Sequence, residues 1–451
     1  MKSPENSALP GVKISTVKGV ILASGLARRM GGIPKGLIRV GGREILYRNV
    51  HLLRNRGIGD FIIVANRWNE KAYREFMEKH FSGSIRWEIV LNDAPHRENG
   101  YSLHLVQPYV DGPFALTMAD HVYSAGFISR AFELYRGTPA AVVDRNPLYI
   151  DIQEATKVKC RGNRVAAVGK GLEEYDGADT GLFFLNTDVF RITESLLMQE
   201  VIPLAKVMEE YHPECLEVSA EVWMDVDTPQ EIRKATWLLI RDATKGKGDG
   251  WISRHINRPI SHLITYATVE HLTPNAASLI SFIGGIIAAA TAVFHPPAGA
   301  VLYQIHSILD GVDGEIARVR LMESRAGGWM DSILDRVVDF LFLLALSLHL
   351  KPSAHTMLWV MAAVFGTLMV SYVSERFRGA YCRDPYGIIP PLSWIPGKRD
   401  ERIFLIMILV LAGRVAETFI AVALLGILKA LWNFLHMFRW SLSQDSVRRK
   451  P

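Results

Sequence analysis

The stretch Asp310-Gly311-Val312-Asp313-Gly314-Glu315-Ile316-Ala317-Arg318 is followed by Gly327, Asp331 and Asp335, and its aspartates lie among strongly apolar segments. An ionised carboxylate at the edge of a bilayer is costly unless a cation or a wet cavity receives it, so the grouping marks a functional site. On helices, Asp310 and Asp313 fall at i, i+3 and Asp331 and Asp335 at i, i+4. Each pair then shares a face, and two neighbouring helices can aim four carboxylates at one centre. All-oxygen ligation suits a hard cation, Mg2+ or Mn2+, whose open positions phosphate oxygens can complete. Gly314, Ala317 and Gly327 are small enough for a diphosphate and a second helix to approach the backbone. A solvated charged loop would not need them.

The spacing D-x2-D-G-x2-A-R-x8-G-x3-D-x3-D is met at every fixed position. It resembles the signature of the CDP-alcohol phosphotransferase membrane family, over roughly residues 250 to 440. The resemblance implies a reaction in which the hydroxyl of one alcohol displaces CMP from a CDP-alcohol. It also implies roles: Asp310, Asp313 and Asp331 anchor metal on the diphosphate, Asp335 ligates metal and acts as general base, and Gly314, Ala317, Arg318 and Gly327 border the donor. An acceptor that already carries a phosphate needs a basic pocket, for which Arg376, Arg378, Lys398, Arg399 and Arg402 are candidates.

A second group of candidate residues lies near the N-terminus. Gly19-Val20-Ile21-Leu22-Ala23 is a short apolar strand feeding Ser24-Gly25-Leu26-Ala27-Arg28-Arg29-Met30-Gly31-Gly32-Ile33-Pro34-Lys35. Such a loop can wrap nucleotide phosphates in backbone N–H groups while Arg29 and Lys35 neutralise charge. It lacks the ending of a P-loop and the full spacing of a Rossmann fingerprint. The run resembles the L-A-x-G-x-G-x-R-M…P-K signature of sugar-phosphate nucleotidyltransferases, with Ala27 where that family commonly has glycine. Two carboxylates strengthen the likeness: Asp120, closing the apolar run from Phe114, and Asp227, in Trp223-Met224-Asp225-Val226-Asp227-Thr228-Pro229. In the resembled family aspartates at these places hold the Mg2+ that bridges the nucleotide phosphates, and Asp225 is the weaker candidate. Glu98-Asn99-Gly100-Tyr101-Ser102-Leu103 is similar to the segment bordering base and acceptor in choline- and inositol-phosphate cytidylyltransferases. Gly169-Lys170 and Asp179-Thr180-Gly181 match where those enzymes hold the acceptor. The cofactor-binding set is thus Leu22, Ala23, Gly25, Lys35, Asn99, Lys170 and Asp179.

These residues need two different scaffolds, and the composition divides accordingly. Before about residue 245 charged and apolar residues mix as in a soluble domain, and after about 275 hydropathy rises sharply. Alternating strand and helix patterns from Val17 to about Ile240 predict an α/β fold with a mainly parallel sheet and ligands at the strands' carboxyl ends, and the resemblance implies that it is the Rossmann-like nucleotidyltransferase fold. Apolar runs at 276–294, 298–309, 333–350, 355–374, 403–413 and 416–435 predict an all-α membrane domain of six spanning helices. The second run continues through the aspartates, and the fifth begins near Lys398, whose long side chain can snorkel. Arg318, Arg320, Arg325, Arg376, Arg378, Arg383, Lys398 and Arg399 fall on one side of these helices; the turns at His295-Pro296-Pro297, Lys351-Pro352 and Arg414 carry little charge. The positive-inside rule then puts both termini and both sites in the cytoplasm of a multi-pass cell-membrane protein, and no signal peptide opens the chain.

The predicted boundaries are 1–240 for the nucleotidyltransferase domain, 241–272 for a basic linker and interfacial helix, 273–440 for the membrane domain and 441–451 for a tail. Asp242 to Gly250 reads as a flexible linker. Trp251 to His271 reads as an interfacial helix bent at Pro259. Cys160, Cys215 and Cys382 are too few and too scattered for a disulfide frame or a zinc site. The net charge of +5 suits an anionic bilayer surface and phosphate-rich substrates, and no nucleic-acid-binding motif is present.

A nucleotidyltransferase makes an activated alcohol and the aspartate motif consumes one, so the two resemblances together imply a CDP-alcohol as the shared intermediate. The fusion resembles the bifunctional enzymes of heat-loving organisms that form CDP-inositol from CTP and inositol 1-phosphate, then join it to a second inositol 1-phosphate during compatible-solute synthesis. The resemblance implies CTP, inositol 1-phosphate and CDP-inositol as partners, the lipid bilayer as surroundings, no nucleic acid, and a homodimer through the membrane domain. Two other arrangements stay open on residues alone. One is a phospholipid synthase joining a CDP-diacylglycerol-like donor to an alcohol phosphate, with the first domain in a separate role. The other makes that domain an inert docking module, against which the retained Arg29, Lys35, Asp120 and Asp227 argue.

Overall fold

The computed structural model describes residues 16–25, 32–244 and 248–448. Ala27 and Arg29, in the loop expected to wrap phosphates, lie outside the described residues. The chain divides into two compact units, Met1–Asp242 and Ala243–Pro451.

The first unit contains β1 (Lys18–Leu22), β2 (Arg39–Val40), β3 (Arg43–Glu44), α1 (Ile45–Arg54), β4 (Asp60–Ala65), α2 (Glu70–Phe81), β5 (Arg86–Leu91), α3 (Glu98–His104), β6 (Phe114–Met118), β7 (His121–Tyr123), α4 (Ala125–Leu134) and β8 (Ala140–Asp144). It continues with β9 (Lys157–Arg161), β10 (Arg164–Gly169), β11 (Gly177–Leu185), α5 (Val189–Ser195), α6 (Leu204–Tyr211), β12 (Glu214–Glu217), β13 (Trp223–Asp225) and α7 (Pro229–Asp242). Nine strands form one sheet in the order β5-β4-β1-β6-β11-β8-β12-β10-β9. The β1 strand is buried at its apolar positions and pairs in parallel with β4 and β6, Val20 opposite Ile62 on one side and Leu116 on the other. Val20, Leu22, Phe114, Leu116 and Phe183 share the core.

The expected mainly parallel sheet is instead mixed. The half β5-β4-β1-β6 is parallel, whereas β11 runs antiparallel to β6, β8 and β9, and β10 antiparallel to β9 and β12. The reason is connection length: β9 and β10 are joined through Gly162 and Asn163 alone, and a hairpin cannot make the long crossover that parallel strands need. The reading of the cysteines is also corrected. Cys160 and Cys215, 55 residues apart, are disulfide-bonded with Cα atoms 6.6 Å apart. Cys215 N–H donates to Asn163 O in the β9–β10 hairpin, which carries β12 alongside Cys160. Cys382 is a free, exposed thiol.

The second unit is helical: α8 (Arg258–Thr268), α9 (Pro274–Phe294), α10 (Pro296–Val319), α11 (Arg325–Leu350), α12 (Ala354–Tyr381), the single turn α13 (Pro385–Ile388), α14 (Arg399–Leu411) and α15 (Val415–Arg448). Six of these helices follow the six apolar runs. Among the described residues, three stretches are long and apolar enough to cross a membrane: α9, α12 and Val415–Asp445 of α15. The other long helices carry the charges of the site, and α14 has 13 residues, about 20 Å of helix. Thr273 caps α9 by accepting from Ala276 N–H, with Pro274 at its start. Small residues set the close contacts: a Cβ on Gly299 would meet Ala292 Cα at 2.6 Å.

The stretch read as a flexible linker is fixed at its far end. Lys398 Nζ donates to Gly248 O and Asp249 O at 2.8 and 3.1 Å, and Asp249 pairs with Arg258 at 2.9 Å; residues 245–247 lie outside the described set. Helix begins at Trp251, passes through one wide turn over Ser253–Asn257 and continues as α8. Pro259 has no N–H to give, and the wide turn ahead of it accommodates the missing bond. The buried face is polar, with Asn257, Ser261 and Thr265 against α10, while Trp251 and Leu263 are 57% and 61% exposed on the outside.

Candidate active sites

In the first unit, the carboxyl ends of the parallel strands carry the polar groups. The chain leaving β1 is pinned from β4 and the turn that follows: Asn69 Nδ2 donates to Ala23 O at 2.9 Å and Asn66 Nδ2 to Ser24 O at 2.8 Å. Gly25 follows on the open side, where an added Cβ would meet nothing within 4 Å. Asp120 closes β6, and the antiparallel pairing of β13 with β7 brings the Asp227 segment against it, Val226 N–H donating to Asp120 O at 2.9 Å. Lys35 Nζ lies 2.8 Å from Asp120 Oδ2 and 2.5 Å from Asp227 Oδ1. Burial works against the Lys35 charge, but the two aspartates outweigh it and raise its pKa well above the usual lysine range. Asp120 is held far below the ordinary carboxylate range: against burial stand the hydrogen bond and charge of His121, then those of Lys35.

His121 Nδ1 sits 2.8 Å from Asp120 Oδ1. Burial lowers its basicity, but the bond to Asp120 and the charges of Asp225 and Asp179 reverse this and raise its pKa. Asp179 accepts from Gly181 N–H at 3.0 Å, and burial raises its pKa. Gly181 has φ +70°, and any Cβ there would meet the His121 ring at 2.6 Å. Asn99 is exposed, its Nδ2 3.9 Å from Met118 Sδ at the end of β6. Lys170 is exposed at the end of β10, and Asp225 is exposed beside Asp227.

In the second unit, α10 supplies Asp310 and Asp313, and α11 supplies Asp331 and Asp335. Arg399, at the start of α14, joins the two helices: its Nη1 lies 2.8 Å from Asp310 Oδ2 and 2.9 Å from Asp335 Oδ1. One ligand atom each from His306, Asp310 and Asp335 falls within 4.8 Å of the others. Asp313 accepts from Ser278 Oγ and from Gly314 N–H, and Asp331 stands one turn before Asp335 on α11. Ser324 caps α11 by accepting from Gly327 N–H at 2.9 Å. A Cβ on Gly314 would meet the Arg318 guanidinium at 3.0 Å, with Ala317 adjacent on the same helix.

Both carboxylate groups fit a hard divalent cation, because in each the oxygens of separate elements converge on one cationic group, Lys35 or Arg399. A cavity of about 1200 Å3 opens beside the second cluster, lined by Asp310, Asp335, Arg378, Lys398, Arg399 and Arg402 among others. The basic candidates in it already have partners. Arg378 pairs with Glu375 and Asp384, Lys398 holds the linker carbonyls, and Arg402 is buried and donates to Gly397 O at 2.5 Å. Arg376 is exposed and lies outside the cavity lining.

Several participants escaped the sequence reading. His121 follows Asp120 directly, and only the fold shows its ring turning back onto that carboxylate. Glu231 accepts from Asp227 N–H at 2.6 Å and Thr228 N–H at 2.8 Å, a capping box whose Thr228-x-x-Glu231 spacing was a readable signal. Glu315, inside the aspartate motif, is fully buried and holds Arg258 at 2.9 Å, Ser261 at 2.6 Å and Thr265 at 2.6 Å. Gly311 leaves room for that arginine, since a Cβ there would lie 2.6 Å from Arg258 Nη1.

Comparison with known proteins agrees with this two-part organisation. Residues 19–150 match the MobA-like NTP transferase domain, and residues 271–435 match the CDP-alcohol phosphatidyltransferase family. The chain is 43% identical over 417 residues to the bifunctional IPC transferase and DIPP synthase of Aquifex aeolicus, covering 91% of this chain and 96% of that one. The proteins of the same name from Thermococcus kodakarensis and Archaeoglobus fulgidus are 46% and 44% identical, covering 90% and 96% of this chain and 94% and 84% of theirs. With the nucleotidyltransferase fold and the aspartate-bearing membrane helices both matched along nearly its whole length, the chain belongs to the family of bifunctional IPC transferases and DIPP synthases.

Proposed function

We propose that the protein makes a phosphorylated di-myo-inositol phosphate in two steps on one chain. CTP and inositol 1-phosphate give CDP-inositol and diphosphate; CDP-inositol and a second inositol 1-phosphate then give the di-inositol phosphate phosphate and CMP. The observation that carries the reading is the near end-to-end match to relatives bearing both activities in their name. In this reading residues 1–240 form the cytidylyltransferase domain, 241–272 the linker and interfacial helix, 273–440 the six-helix membrane domain and 441–451 a cytoplasmic tail.

Asp120 and Asp227 would hold one cation site, and Asp310, Asp313, Asp331 and Asp335 the other. A divalent cation, Mg2+ or Mn2+, supplies charge neutralisation and Lewis-acid polarisation of the phosphates when bound. Around it, Lys35 and Arg29 neutralise the triphosphate, and the backbone from Leu22 and Ala23 through Gly25 lines it. Asn99 borders base and acceptor, and Lys170 and Asp179 hold the inositol phosphate, so the domain contributes mainly alignment. In the membrane domain Gly314, Ala317, Arg318 and Gly327 border the CDP-alcohol. Asp335 takes the proton of the attacking hydroxyl while CMP departs. Lys398, Arg399, Arg378 and Arg402, lining the cavity, are the candidates for the acceptor phosphate, and Arg376 is the weakest of the set.

The same proposal places the protein in the cell membrane as a multi-pass protein with both termini and both sites cytoplasmic, and as a homodimer through its membrane helices. Support for the orientation is the clustering of arginines and lysines on the aspartate side. The test is 31P NMR of purified protein with CTP, Mg2+ and single alcohol phosphates. Diphosphate, CMP and one new phosphodiester are expected with inositol 1-phosphate. CMP release only from CDP-diacylglycerol donors would overturn the second step.

A further inference from the structure

Asp339 lies one helical turn beyond Asp335 on α11, outside the aspartate pattern of the motif. It is 2% exposed. Tyr303 donates its hydroxyl to Oδ1 at 2.6 Å, Arg399 Nε lies 3.0 and 3.3 Å from the two oxygens, and Arg336 Nη2 lies 3.5 Å from Oδ2. The Tyr303 ring stacks on buried Phe342 with centroids 4.0 Å apart, which fixes the direction of its hydroxyl. A carboxylate this deep costs stability unless its partners are held in place, and here they are.

The consequence falls on Arg399. Its Nε edge is fastened to Asp339, and its Nη1 reaches Asp310 and Asp335. Nη2 lies 3.2 Å from His306 Nε2. Arginine can only donate, so Nε2 accepts, and Nδ1 gives its proton to Ser281 O at 2.9 Å. The guanidinium therefore has one anchor away from the catalytic pair and a second set of bonds to it. A cation and a guanidinium compete for the same carboxylate oxygens, and the anchored guanidinium can release them without losing all of its partners.

We propose that Asp339, braced by Tyr303, is a positioning residue that tethers Arg399 behind the Asp310–Asp335 pair and so keeps it from displacing a divalent cation there. The inference rests on the reading that these aspartates hold the cation. It concerns how the site tolerates its own arginine.

The test is Mn2+ binding followed by electron paramagnetic resonance on the detergent-solubilised full chain, with Asp120→Asn and Asp227→Asn present so that only the membrane site reports. Asp339→Asn should weaken Mn2+ binding about tenfold, because Arg399 is left with Asp310 and Asp335 as its only carboxylates. Adding Arg399→Gln to that variant should restore affinity to within about threefold of the starting protein. A merely structural role for Asp339 would not be rescued by removing a second side chain. Tyr303→Phe should shift binding in the same direction by a smaller factor, and it decides the matter if Asp339→Asn does not fold. Unchanged affinity in Asp339→Asn, unchanged affinity in Tyr303→Phe, or a double variant no better than the single one would overturn the proposal. Asp335→Asn separates the two levels: if it leaves Mn2+ binding intact, the metal reading itself fails, whereas its loss of binding beside a silent Asp339→Asn refutes only the tether.

Discussion

Arg258 is the charge that fastens α8 to the aspartate-bearing helix α10, and removing it should destabilise the second unit sharply. Glu315 is fully buried and accepts from Arg258, Ser261 and Thr265, while Arg258 also pairs with Asp249 at the end of the linker. Arg258→Met keeps most of the side-chain volume but leaves a buried carboxylate with two hydroxyl donors and, in place of the guanidinium, only the His262 ring, whose Nε2 lies 3.8 Å from Glu315 Oε1. Breaking a buried pair in this way costs about 3–5 kcal/mol. For a unit of this size that corresponds to a fall in Tm of roughly 10 °C. The double variant Arg258→Met/Glu315→Met removes both charges. The Ser261 hydroxyl can then turn to Arg258 O, already 3.3 Å away, so more than half of the loss should return. The assay is thermal unfolding in detergent followed by tryptophan fluorescence, with the detergent-sensitive transition assigned to the second unit. A drop below about 3 °C for the single variant, or a double variant no more stable than the single, would refute the argument.

Three further outcomes follow from the sites. Asp335→Asn removes a proton acceptor at nearly constant shape, so CMP release should fall by roughly two to four orders of magnitude with a smaller loss of donor binding; near-normal turnover across pH would exclude it as the base. Asp120→Ala should abolish diphosphate release from CTP while leaving CMP release from supplied CDP-inositol intact, and a parallel loss of both would contradict separate sites. Reducing the Cys160–Cys215 bond, which spans 55 residues, should cost the first unit on the order of 4 kcal/mol, read as a lower Tm in dithiothreitol that Cys160→Ser/Cys215→Ser reproduces without reductant. Equal Tm with and without reductant would count against the bond.

Much of the fold was legible because local patterns and tertiary demands coincide. The apolar run at Val20 to Leu22 reads as a strand covered on both faces, and the six apolar runs became helices, the conformation in which a segment satisfies its own backbone hydrogen bonds. The mixed direction of the sheet was less plain, since strand direction depends on how the chain returns rather than on any residue's preference. Even so, the two-residue link between β9 and β10 was a readable sign of antiparallel pairing.

The amino-acid sequence by itself determined which residue types could carry chemistry and that they fall into two groups on different scaffolds. Fixed spacing on a helix dictates which side chains share a face, so Asp310 with Asp313 and Asp331 with Asp335 follow from helical geometry alone. What only the tertiary structure decided is which charges meet across elements. Lys35 reaches Asp120 and Asp227 from 85 and 192 residues away, and Arg399 reaches Asp310 from 89. Cys160 finds Cys215, Glu315 finds Arg258, and Asp339 becomes an anchor instead of one more aspartate on an apolar helix. Such pairings depend on distances set by packing, and a buried charge survives only where packing delivers its partner.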